Sequence, residues 1–269
     1  SSDVCSSDLG PKKHQEMAKL AVQEARSGRT ILDIDDLRLE IGDRTLIDSL
    51  TLCLAKGDRI GVIGKNGTGK TSLLRAVLGE LEPAGGRLTL GETMKVGYFE
   101  QSRTNLDPDK TIFENVIGNH GDVQMGKERI TPHAYLQRFQ FDRGRTRDLV
   151  GVLSGGERAR VSLAKMLIEP VNLLLLDEPT NDLDVATLSA LEEMLVETVS
   201  TAIVVTHDRY FLDRIATRIL AFEGEGKVGL YASSAQALEA LRLGGSEAKT
   251  AQTSAPSKTP SKKDKPAKK

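Results

Sequence analysis

The feature that most constrains this chain is the run GKNGTGKT, from Gly64 to Thr71, set between the apolar segment 59–63 and the helix-forming segment 72–80. A glycine, four residues and then Gly-Lys-Thr, standing between a strand and a helix, is the arrangement a phosphate-binding loop requires. Gly64, Gly67 and Gly69 let the backbone turn tightly enough for successive amides to converge on an anion, and the helix start adds its positive end. In such a loop Lys70 reaches the β and γ phosphates of a nucleotide and the Thr71 hydroxyl can ligate magnesium. Lys65, Asn66, Thr68 and Ser72 complete the expected cradle.

That loop alone leaves kinases, GTPases, helicases and transport ATPases open, and the next element narrows the choice. Residues 171–178, VNLLLLDE, read as a buried parallel strand ending in two adjacent acids. Side chains alternate along a strand, so Asp177 and Glu178 are expected to play different parts. Asp177 is suited to hold magnesium, and Glu178 to polarise the water that attacks a γ phosphate. A helix N-cap after a core strand would explain one acid but not the pair.

Between these elements lies LSGGERARVSLAKMLI, residues 153–168. Ser154, Gly155 and Gly156 precede a helix with an apolar face at Val161, Ala164, Leu167 and Ile168, which makes a second anion-attracting helix start in one chain. The economical reading is that this start grips the γ phosphate of a nucleotide held by another cassette, so that the active site is composite. The alternative is a plain capping box, with Ser154 and Glu157 three residues apart.

The 269 residues are 39% hydrophobic, 28% charged and 4% aromatic with no tryptophan, a composition that fits an aliphatic-cored globule and excludes a disordered chain. The longest purely aliphatic stretches, such as 173–176, fall far short of the roughly 18 residues that cross a bilayer. Two cysteines, Cys5 and Cys53, cannot build a disulfide framework, and with no leader-like opening the expected compartment is a reducing cytoplasm. Cys53 falls in an alternation opposite Leu50, Leu52 and Leu54, the setting of a packed thiol.

From Thr30 the strand-like runs ILDIDDLRLEI and TLIDSLTLCLA flank Gly42-Asp43 and predict a small antiparallel sheet. The expected division is therefore 30–243 for the folded cassette, 10–29 for the end of a charged helical interdomain linker, and 244–269 for a disordered Lys/Pro-rich tail. That tail carries seven lysines against Glu247 and Asp264, so its net charge of +5 stands against −6 for the rest. It reads either as a tether or as an arm attracting nucleic acid. Residues 1–9, SSDVCSSDL, fit nothing that follows; they look like a translated adapter sequence, and the natural chain is expected to extend upstream of Gly10.

The order GKNGTGKT, Gln101 in YFEQ, LSGGERARV, LLLLDEPTNDLD and VVTHDRYFLD, spread over about residues 31–231, resembles an ATP-binding cassette (ABC) domain. Within that family VTHDRYFLDRIATRIL, LDPDKTIFENV and NDLD are most similar to the soluble ABC-F proteins, and among them to the second cassette of the Uup type. The resemblance implies an α/β fold of the P-loop NTPase class with an antiparallel β subdomain near 30–57 and an α-helical subdomain near 105–160. It implies ATP and Mg2+ as substrate and cofactor, with Lys70, Glu178 and His207 in the catalytic centre and Thr71, Gln101 and Asp177 about the metal. By the same resemblance Ser154 to Glu157 form the signature that serves a partner's nucleotide, and Asp184 belongs to a loop crossing the interface between cassettes. Family members often stack an aromatic on adenine; aligning DLRLEIGDRTL puts Leu39 there, which implies loose base recognition. The implied partners are a second ABC cassette and a ribosome, RNA or DNA target, without a membrane domain. The rival reading is the ATP-binding subunit of a transporter, and a non-enzymatic nucleotide-binding scaffold is weakened by Glu178.

Overall fold

The computed structural model describes residues 30–251 apart from 93, 101–105, 126–127, 170, 182 and 198–200. The expected adapter (1–9), linker (10–29), Gln101 and the tail beyond 251 therefore lie outside the described residues.

Strands β1 (Thr30–Ile41) and β2 (Arg44–Ala55) form an antiparallel hairpin closed at Gly42-Asp43, where Gly42 has φ +60°. The alternation that buries Leu32 and Ile34 breaks at Asp36, a non-glycine residue at φ +49°, and the register with β2 shifts between Ile34 and Leu37. This bulge advances the side-chain phase by one residue, so Leu37 and Leu39 face the core instead of their even-numbered neighbours. Asp36 is held there by the Ser49 hydroxyl donating to its carboxylate at 2.6 Å and by its own N–H donating to Thr51 Oγ1 at 3.1 Å.

Strand β3 (Arg59–Gly64) runs into the phosphate-loop segment and helix α1 (Lys70–Val77), and β4 (Gly85–Leu90) then returns to the free edge of β1, giving the order β2-β1-β4. Strand β5 (Val96–Glu100) leads into an insertion made of α2 (Ile112–Val116), the hairpin β6 (Val123–Met125) and β7 (Glu128–Ile130), α3 (Pro132–Arg138), two single 3-10 turns (Arg145–Arg147 and Val150–Val152) and α4 (Gly155–Ile168). Among its described residues, the insertion expected to be helical carries a two-stranded hairpin besides its helices and 3-10 turns.

The remaining elements are β8 (Leu173–Asp177), α5 (Val185–Glu197), β9 (Ala202–Val205), α6 (Arg209–Ile215), β10 (Arg218–Gly224), β11 (Lys227–Tyr231) and α7 (Ser234–Ala251). The main sheet has the order β11-β10-β3-β9-β8-β5, parallel throughout except for β11 against β10. Leu173 to Leu176 are fully buried because the sheet is covered on both faces: Leu174 and Leu176 face the insertion and α5, Leu173 and Leu175 face α1 and the antiparallel sheet. The carboxyl ends of β3, β8 and β9 lie side by side, the place where open α/β sheets bind ligands.

Helix α7 continues eight residues past the expected boundary at 243/244. Gly244 and Gly245 each cost about 1 kcal/mol in a helix, but the Ala, Leu, Glu and Lys residues around them are strong helix formers.

Candidate functional site

The loop after β3 has the geometry its glycines allow. Gly64 sits at φ +154°, and a Cβ there would come within 2.7 Å of Phe222 Cβ; Gly69, at φ +111°, precedes α1, and its Cβ would come within 2.9 Å of Leu46 Cβ. Larger residues at these positions would therefore force the loop off the neighbouring strands. Thr68 fastens the turn by donating its hydroxyl to the Lys65 carbonyl at 2.8 Å.

Lys70 is buried and folds back over its own loop, donating from Nζ to the carbonyls of Gly64 at 3.0 Å and Lys65 at 3.1 Å. Burial pulls its pKa below the ordinary lysine value, against the attraction of Glu178 and Asp177. The Thr71 hydroxyl donates to Asp177 Oδ2 at 2.7 Å, a contact between residues 106 apart in sequence. Asp177 ends β8 at 9% exposure, and Glu178 follows at φ +50°, its N–H donating to the Val205 carbonyl at 2.8 Å. The left-handed backbone takes Glu178 out of the strand's alternation, so that both acids reach the same cavity. Glu178 Oε1 lies 3.3 Å from His207 Nε2, while its buried Oε2 takes no hydrogen bond from any described residue. His207 follows β9 and also lies 3.1 Å from Asn66 Oδ1, which ties the end of β9 to the loop after β3.

Lys70, Thr71, Ser72, Asn66, Asp177 and Glu178 line one cavity of about 430 Å3. Its far wall is Ile41, Arg44 and Leu46 from the β1–β2 hairpin. Leu39, expected at this wall, is fully buried in the core, and Ile41, 54% exposed, stands there instead. The bulge at Asp36 turns Leu39 into the core, and two further register shifts after Leu37 precede the exposed strand end at Ile41, whose one local signal was its position directly before the Gly42-Asp43 turn. A larger cavity of about 590 Å3, between α2 and α4, contains none of the phosphate-loop residues.

The signature segment stands apart from this cavity. Ser154 is the N-cap of α4 and makes the full capping box: its Oγ accepts the Glu157 N–H at 3.3 Å and donates to Glu157 Oε2 at 2.8 Å, and its N–H donates to the same oxygen at 2.9 Å. These bonds, first the backbone one and then the hydroxyl one, hold the Glu157 pKa below the usual carboxylate range. Nothing lies within 4 Å of a Cβ built on Gly155, so this helix start is open to an approaching group.

Asp184 accepts the Thr187 N–H at 2.9 Å at the start of α5, and also binds Gln140 Nε2 at 2.9 Å and the Arg160 guanidinium. Burial raises its pKa, but the Thr187 and Arg160 hydrogen bonds outweigh that and leave it below the ordinary value. Arg160 lies over the Phe141 ring at 5.4 Å from its centroid. Neither Gln140 nor Arg160 could be singled out from sequence, since their partner is fixed only by the fold. Among the other described histidines, His120 faces Glu169 at 3.2 Å and His133 packs against Phe113 with ring centroids 5.3 Å apart and the planes tilted by 41°. Among the described residues no group of three or more His, Cys, Asp or Glu side chains is placed to hold a metal, and no helix is long and apolar enough to cross a membrane.

A family model described as ABC transporter matches residues 47–181. A Uup-like ATP-binding protein of Haemophilus influenzae is 42% identical over 215 residues, which is 80% of this chain and 47% of that protein. The energy-dependent translational throttle protein EttA of Escherichia coli K12 is 47% identical over 209 residues, covering 77% of this chain and 37% of its own length. The Uup protein of the same strain is 42% identical over 80% of this chain and 34% of its own. The chain thus spans less than half the length of these relatives. A chain from an inward-facing ABC transporter of the metal-chelate type superposes with a TM-score of 0.61 at 20% identity, covering 80% of this chain and 89% of that one, and so shares the fold.

Proposed function

Because this chain belongs to the ATP-binding cassette family and is similar to Uup-like and EttA proteins, we propose that it binds ATP in the cavity between the phosphate loop and the β1–β2 hairpin and hydrolyses it as a conformational switch. The observation that carries this reading is the convergence of Lys70, Thr71, Asp177 and Glu178 on one cavity from elements more than 100 residues apart. In this reading Gly64 to Ser72 cradle the phosphates, and Lys70 exchanges its two loop carbonyls for β and γ phosphate oxygens. Glu178 takes a proton from the water whose oxygen attacks the γ phosphorus; the bond from that phosphorus to the bridging oxygen breaks, and ADP and phosphate leave. Oε2 of Glu178, with no donor among the described residues, is the free acceptor for that proton. His207, bridging Asn66 and Glu178, keeps the base against the loop.

A hard divalent cation suits the oxygen donors present, the Thr71 hydroxyl and the Asp177 carboxylate, and these would hold Mg2+ together with phosphate oxygens. It would supply charge stabilisation at the phosphates. Gln101 is proposed as a further contact from its place in the sequence.

One cassette carries half of each composite site. Ser154 to Glu157 and the Asp184 loop are proposed to meet the nucleotide of a second cassette, elsewhere in a longer chain or in another copy. Similarity to a translational throttle protein supports a translation target for the switch, in the cytoplasm, over a transporter or a DNA target. The test is to separate binding from chemistry. Lys70→Ala should weaken ATP binding in equilibrium titration, whereas Glu178→Gln should keep it and slow hydrolysis by about 100-fold or more. Equal loss of affinity in both variants would contradict the assigned roles.

A further inference from the structure

The capping box at Ser154 creates a conflict at the proposed contact with a partner's nucleotide. The Ser154 hydroxyl has one proton, and Glu157 Oε2 takes it at 2.8 Å while also taking the Ser154 N–H at 2.9 Å. A phosphate arriving at this helix start must therefore compete with a carboxylate for its donors and approach that carboxylate's negative charge. Glu157 is not left bare. Its other oxygen, Oε1, is bound by a terminal nitrogen of Arg145, which comes from the 3-10 turn Arg145–Arg147, twelve residues upstream. Arg145 is itself fixed by its Nε against Asp148 Oδ2 at 3.0 Å and by its N–H on Asp142 Oδ1 at 2.9 Å. The two arginines on α4 are committed elsewhere: Arg158 donates to the Leu153 carbonyl at 2.6 Å, and Arg160, which also acts on the Glu157 charge from a distance, is bound to Asp184.

We propose that Arg145 is a positioning residue for the composite site: it draws the Glu157 carboxylate to its own side and offsets its charge, so that a nucleotide phosphate can reach the Ser154–Gly156 helix start. The inference rests on the composite-site reading and deepens it. It assigns a role to a residue outside the signature, in a turn whose sequence, RGRTRD, does not mark which arginine acts. Arg145 does not touch the nucleotide of its own chain, since it lines no part of the phosphate-loop cavity. Glutamine at 157 retains an acceptor for the Ser154 N–H, so Glu157→Gln keeps the cap while removing the charge that Arg145 offsets.

The experiment is sedimentation velocity of the 269-residue chain in magnesium-ATP, in a Glu178→Gln background that retains bound ATP, with nucleotide titration of the monomer reporting the phosphate loop separately. Arg145→Ala should raise the dimer dissociation constant about fivefold, the scale of one partly exposed charge interaction, and Arg145→Lys should do so by less. Adding Glu157→Gln to Arg145→Ala should restore the parental value. A dissociation constant untouched by Arg145→Ala overturns the inference, and so does an equal loss in the Glu157→Gln background, which would mean that the arginine acts independently of Glu157. If the Glu178→Gln parent forms no ATP-dependent dimer, the composite-site reading fails and the inference falls with it. A dimer indifferent to Arg145 overturns the inference alone.

Discussion

Ile41 leaves the core at the end of β1 with 54% of its surface exposed, and it lines the proposed ATP cavity on the hairpin side, where a purine would lie if the phosphates are held by Lys70 and Thr71. An aliphatic side chain there offers contact area but no π face. Replacing it with tyrosine adds base stacking, worth about 1–3 kcal/mol per base, and gives up the partial contact that isoleucine already makes. A net gain of about 1–2 kcal/mol corresponds to roughly 5- to 30-fold tighter ATP binding, since 1.4 kcal/mol is tenfold. GTP should gain by a similar factor, because stacking engages the ring face of any purine. Titration calorimetry with ATP, GTP and inorganic tripolyphosphate isolates the base: the last should bind both forms equally. The control is Leu39→Tyr, at a fully buried position, which should cost about 1–3 kcal/mol of stability by overpacking and give no affinity. Unchanged ATP affinity in Ile41→Tyr, an equal gain for tripolyphosphate, or tighter binding in Leu39→Tyr would each refute the placement of the base against the hairpin.

The capping box gives a pH dependence with a definite sign. Glu157 titrates below its ordinary value of 4.5 in the folded chain, so its contribution to stability is complete above about pH 4.5 and is lost as pH falls through the folded pKa. Thermal unfolding of wild type and Glu157→Gln should therefore differ at pH 7 and converge on the acid side; a constant difference between pH 7 and 3 would contradict this. For the lysine-rich terminus, removing residues 252–269 should weaken RNA binding and flatten its salt dependence, each lost phosphate contact lowering the slope by about 0.7 for a single strand. An unchanged slope would make the segment a plain tether.

What was legible in the sequence was contiguous. The strand, loop and helix around Gly64 to Thr71 follow one another, and the acids that end β8 are marked by the four leucines before them. The antiparallel hairpin was legible from its turn pair. The hairpin residue that walls the cavity was not, because the left-handed Asp36 and the register shifts that follow it break the alternation of β1, and alternation read from Leu32 and Ile34 cannot anticipate them. Ser154 and Glu157 announced their box by spacing, whereas the third partner did not: Arg143, Arg145 and Arg147 alternate in one short segment, and only the 3-10 turn selects the one that meets Glu157. Gln140 was hidden in the same way, since its φ of +64° after α3 is what brings its amide to Asp184.

The central claim is that this cassette holds half of each of two catalytic sites, with the phosphate loop and the Ser154 helix start serving different nucleotides. Specific ATPase activity of the 269-residue chain, followed over a wide range of protein concentration, tests it most directly. Two copies must meet head to tail to complete a site, and without a tether their effective concentration is only the bulk concentration. Activity per molecule should therefore rise with concentration towards a plateau, and a Ser154→Arg chain should stay near the floor throughout. Activity per molecule that is flat on dilution and indifferent to Ser154→Arg would show that a single cassette completes the chemistry alone, contrary to this account.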